Sequence, residues 1–82
     1  MLQTNYDRRY ACKQIDAEVN RITREYPWSF SRQDQLLIDA AEVQIIIGND
    51  KAALELLDKC FAGGNLVTEW ENAAEATKYN YY

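Results

Sequence analysis

The sequence predicts an all-α fold, a compact bundle of four short helices formed by a single 82-residue domain. Three observations carry that expectation. Apolar residues recur at alternating steps of three and four, glycine and proline fall between the periodic runs, and capping residues stand where the runs begin. The helices are expected at about 5–26, 31–47, 50–62 and 65–79, the second and third forming a tight antiparallel hairpin.

In the first run, Cys12, Ile15, Val19, Ile22 and Tyr26 form the seam of an amphipathic helix. Pro27 disfavours helical geometry at Tyr26 and ends it. Ser31 opens the second helix with Asp34 three residues on, a capping box, and Phe30 stands where a hydrophobic staple would pack. Gly48 suits the left-handed residue that closes this helix. Asn49 or Asp50 then caps the third, whose apolar face is Ala53, Leu54, Leu57, Cys60 and Phe61. Gly63-Gly64 is expected to stop the third helix and Asn65 to cap the fourth, with Leu66, Val67, Trp70, Ala73, Ala74, Thr77 and Tyr81 along one side. A strand from Val43 to Ile47 competes locally, because its residues are largely β-branched, but the caps on either side argue for helix.

The segment GNDKAALELLDKCF, preceded by AAEVQIII, resembles the second half of a tetratricopeptide repeat in its glycine, in Ala53 and in the large apolar Phe61. The resemblance covers about one helix pair and has no second copy in the chain. It implies a tight helical hairpin, and no function carries over from it, because such repeats need neighbours to complete their cores.

Composition narrows the function. Hydrophobic residues at 48% and charged residues at 27% describe an ordinary soluble globular chain. A domain of this size has little core to give up to a catalytic cleft. The opening MLQTNYDRRY has no apolar signal region, and the neighbourhood of VQIIIG is too short to cross a bilayer, so no membrane role and a cytoplasmic setting are expected. There is no histidine. Ser-His and Cys-His nucleophile pairs and imidazole metal ligands are thereby excluded. Cys12 and Cys60 form no CxxC pair and read as small core residues. No carboxylate pair lies on an apolar face where burial would tune it, and Gly63-Gly64 lacks the spacing and lysine of a phosphate loop. The expectation is a non-enzymatic protein with no cofactor and no metal.

Two surfaces remain as candidates. On the second helix Leu36, Ala40, Val43 and Ile47 share one face, and Ile38, Ala41 and Ile45 lie roughly opposite. Either this helix is buried on both sides, or Ile38, Ala41 and Ile45 are exposed to bind a partner protein or a second copy of the chain. Trp28, in the run YPWSF, either packs into the corner between two helices or projects as a further partner-binding anchor. On the first helix Arg9, Lys13, Arg21 and Arg24 form a basic stripe opposite the seam, suited to nucleic acid or an acidic partner and otherwise a solvated face with local ion pairs. Tyr79 and Tyr82 either belong to a fraying end or add a minor interface candidate. The carboxylates of the remaining chain are spread over three helices, which argues against nucleic-acid mimicry.

The expected function is therefore a small protein-binding module, an inhibitor or adaptor that occludes a macromolecular partner. By analogy of general character alone it is of the kind phages and mobile elements direct against host defence such as CRISPR or restriction. A nucleic-acid-associated regulator using the basic stripe and a structural homodimer are the alternatives.

Overall fold

Each of the first three helices begins with a side chain that satisfies its own leading amides. In the computed structural model, which describes residues 2 and 4–77, the elements are α1 (Asn5–Glu25), α2 (Arg32–Ile47), α3 (Asp50–Asp58) and α4 (Gly63–Thr77), with no strand among the described residues. At the head of α1 the Thr4 hydroxyl accepts from the Asp7 amide at 3.1 Å and the Asp7 carboxylate accepts from the Thr4 amide at 3.2 Å. Ser31 and Asp34 make the same reciprocal pair at 3.1 and 3.0 Å at the head of α2. Each box occupies two of the donors a helix start leaves without partners. Asn49 caps α3 by accepting from Ala52, and α2 closes on Gly48 at φ +94°, with the Asn49 amide reaching back to the Gln44 carbonyl at 2.8 Å. That left-handed link turns α3 back along α2 and makes the expected antiparallel hairpin.

The junction of α3 and α4 differs from the expectation. α3 ends at Asp58, and three amides after it, those of Lys59, Cys60 and Gly63, bond three residues back in tight turns. Gly63-Gly64 does not stop α3; it starts α4, and Asn65 lies inside that helix instead of capping it. The carbonyl of Ala62, itself at φ +53°, accepts the first bonds from Asn65 and Leu66. Gly63 is needed for proximity: a Cβ there would lie 2.5 Å from the Leu57 carbonyl oxygen and 2.7 Å from that of Asp58. The positive end of α4 thus sits against the negative end of α3, a favourable opposition of helix dipoles.

Packing is principally α1 on α4 and α2 on α3, with α3 also against α4 and the α1–α2 contact the slightest. The buried residues Ala11, Ile15, Val19, Ile38, Ala41, Ile45, Ala53, Leu57, Leu66 and Ala73 belong to one continuous core. The alanines among them let helix backbones approach closely. Arg8 locks the arrangement. Its guanidinium donates to the Ile45 carbonyl at 2.8 Å, to Asp50 at 2.7 Å and to the Leu2 carbonyl at 3.1 Å, joining α1 to both arms of the hairpin.

That arrangement decides which face of α2 is inside. Ile38, Ala41 and Ile45 are exposed by only 3%, 0% and 0%, so the stripe expected to meet a partner or a second copy is core. α2 is not a central helix buried on both sides either. It lies at the edge of the bundle, with α3 as its main neighbour and the opposite half of its circumference open.

Candidate partner-binding surface

The open face of α2 carries Leu36, Val43, Ile46 and Ile47, exposed by 62%, 56%, 41% and 67%, with Ala40 also at the surface. All but Ile46 are the residues the periodicity groups together, seen from the other side. At about 100° per residue, Leu36, Ala40, Val43 and Ile47 project almost directly away from Ile38, Ala41 and Ile45. Both stripes are apolar, and the contacts that choose between them come from other elements: the Arg8 guanidinium on the Ile45 carbonyl and the α3 residues Ala53 and Leu57 in the same core.

Beside this stripe, toward α1, Cys12, Asp39, Glu42, Val43, Ile46 and Ile47 line a shallow cavity of about 390 Å³. Its polar side contains a carboxyl group that sequence reasoning missed. Glu42 is half-buried, with its Oε2 shielded from solvent and its carboxyl hydrogen-bonded to that of Asp16. Burial, then the hydrogen bond with Asp16 and the charges of Asp16 and Asp39, push the Glu42 carboxyl up to about 8. Cys12 donates weakly to the Glu42 carbonyl at 3.9 Å. Its thiol is pushed up to about 11 by burial and the nearby Glu42 and Asp16, so it stays protonated near neutral pH and is no nucleophile. The arrangement offers an apolar floor beside a carboxyl whose charge is suppressed near neutral pH. Among the described residues no group of three or more Cys, Asp and Glu side chains could hold a metal ion.

Trp28 lies on a turn tip and not in a packed corner. The Tyr26 carbonyl accepts from the Ser29 amide at 3.0 Å and also from the Ser29 hydroxyl, so Tyr26 to Ser29 is a β-turn with Pro27 at its second position, where its fixed φ belongs. Trp28 is left 77% exposed, edge-on to Tyr26 with ring centroids 5.6 Å apart. Phe30 alone of the three rings packs against the core, and it meets Phe61 edge-on at 5.8 Å.

The four cations of the expected stripe, Arg9, Lys13, Arg21 and Arg24, are exposed, but they do not form one stripe of equal charges. Arg21 donates to Glu18 at 2.6 Å and lies 3.6 Å from Glu25, so much of its field is locally answered. Arg9 and Lys13 instead line a groove of about 300 Å³ with Tyr6 and Tyr10. Arg24 projects near the far end of the helix. Tyr79, Tyr81 and Tyr82 lie outside the described residues.

No helix among the described residues is long and apolar enough to cross a membrane. Set against protein-family models, curated proteins and solved structures, the chain finds no match in any of the three.

Proposed function

We propose that the protein is a small non-enzymatic protein-binding module, an inhibitor or adaptor that acts by covering part of a macromolecular partner with the open face of α2. The observation that carries this reading is the row Leu36, Val43, Ile46 and Ile47, four large apolar side chains left at the surface of one helix in a small domain. Scattered exposed apolar residues are ordinary, whereas a contiguous row marks an interaction surface. The test is capture from a lysate of the cells that carry the gene, comparing the wild-type chain with a Val43→Ser, Ile47→Ser variant whose circular dichroism is unchanged. A protein retained by the first and lost by the second supports the reading. Equal retention by both, or nothing retained by either, counts against it.

The groove of Tyr6, Arg9, Tyr10 and Lys13 favours a second reading, a nucleic-acid-associated regulator, because alternating cations and rings suit single-stranded nucleic acid through phosphate contacts and stacking. It requires binding to a single-stranded oligonucleotide that weakens with salt and is lost on Arg9→Glu, Lys13→Glu. Absence of binding at low salt would dispose of it.

A further inference from the structure

The open stripe of α2 has the spacing of a helix-pairing seam. From Leu36 the surface apolar residues step to Ala40, Val43 and Ile47, intervals of four, three and four. This is the alternation by which one helix presents knobs to the holes of another. The occupant that fits is a helix, and the seam is about three turns long.

Charge decides what kind of helix. From Gln33 to Ile47 the chain contains no lysine or arginine, while Asp39 and Glu42 stand on the α1 side of the seam and Asp16 of α1 lies close to Glu42. A second copy of α2, packed antiparallel across the seam about a two-fold axis, would lay the flank of Asp39 and Glu42 against the same acidic flank with no cation to offset it. A partner that brings its own cations gains where a second copy would lose.

We propose that the open face of α2 docks a basic amphipathic helix of another protein, whose apolar seam covers Leu36, Ala40, Val43 and Ile47 and whose lysine or arginine side chains lie over Asp39 and Glu42. This rests on the protein-binding reading above and adds the chemistry of the partner. A cation there supplies the positive charge that Glu42, Asp16 and Asp39 lack among themselves, and it favours the ionised carboxylate. The titratable groups that face Glu42 are Asp16 and Cys12 of α1 and Asp39 of α2, and none of them supplies positive charge. Docking near neutral pH therefore expels a proton from Glu42 to solvent.

Calorimetry with the whole chain tests this, using a short synthetic peptide with leucine at heptad seam positions and lysine beside them, and its glutamate counterpart. The lysine peptide binds and the glutamate peptide does not. Its heat near pH 7 differs between Tris and phosphate because a proton is released. Val43→Ser, Ile47→Ser weakens binding by about tenfold or more, and Asp39→Asn, Glu42→Gln weakens it by about tenfold and removes the buffer dependence. Binding of neither peptide, equal binding of both, or full affinity in either double variant overturns the proposal. A wild-type dimer in light scattering that Val43→Ser, Ile47→Ser dissociates assigns the face to a second copy and overturns it as well. A natural partner captured by Asp39→Asn, Glu42→Gln as well as by wild type, but lost with Val43→Ser, Ile47→Ser, would leave the protein-binding reading standing and remove only the basic helix.

Discussion

The Arg8 guanidinium meets the Asp50 carboxylate at 2.7 Å across the junction of α1 with α3, with both side chains at least four-fifths buried. The same guanidinium holds the last turn of α2 through the Ile45 carbonyl. Removing it strands a carboxylate and a carbonyl in a poorly hydrated site. Arg8→Ala is expected to cost about 2–4 kcal/mol in urea unfolding, and Arg8→Lys to recover only part, because a single ammonium cannot serve three acceptors in the planar geometry of the fork. A loss no larger than that of an exposed arginine such as Arg24→Ala would show that the junction is held by packing alone.

Gly63 and Gly64 are adjacent yet should respond oppositely to alanine. The added methyl at Gly63 meets the backbone carbonyls of Leu57 and Asp58, which cannot rotate aside, whereas the one at Gly64 meets nothing within 4 Å. Gly63→Ala is expected to destabilise by about 1–3 kcal/mol through overpacking. Gly64→Ala is expected to stabilise by up to about 1 kcal/mol, because alanine is the better helix former and the less flexible unfolded residue. Thermal melts of the two variants check both signs.

Glu42 makes stability fall as pH rises. Its carboxyl is raised on folding from 4.5 to about 8, so the folded chain holds a proton that the unfolded chain gives up. The resulting stability is fully present below about 4.5, is lost as pH rises through about 8, and is constant beyond. Glu42→Gln has no such proton to lose. Its melting temperature relative to wild type should therefore be higher at pH 9 than at pH 5, and parallel curves would contradict the burial seen here.

Trp28 should be energetically idle in the isolated chain. Trp28→Ala is expected to change stability by less than about 0.5 kcal/mol, as for an exposed side chain away from any network. Phe30→Ala should cost several times more, because that ring packs on the core and against Phe61. Acrylamide quenching of the wild type and of Trp28→Ala would show that the accessible fluorophore is Trp28 and the shielded one Trp70.

Local signals in the sequence were legible and non-local ones were not. Ser31 with Asp34, and Gly48 after Ile47, act within one turn of chain, and the structure has them where their spacing puts them. The Tyr26 to Ser29 turn was readable by the same logic, since proline at the second position is a turn signal. The roll of α2 was not readable, because Ile38, Ala41 and Ile45 and the opposite stripe are similarly apolar and the deciding groups, Arg8, Ala53 and Leu57, lie on other helices. Gly63 reads as a stop from sequence alone, since only the approach of α3 reveals that it must lack a Cβ. Glu42 projects between the buried and open faces of α2, and its raised carboxyl depends on Asp16, which lies 26 positions away in the chain (42 − 16).

The first and last helices, α1 and α4, are each other's main support. During synthesis the α2–α3 hairpin can form as soon as it leaves the ribosome, since its contacts are close in sequence. Most of the contacts of α1 must instead wait for residues beyond 63 to emerge. A nascent chain paused before that point would expose Ile15, Val19 and Ile22 together, which is the form in which this small domain is most open to chaperones, proteases and aggregation.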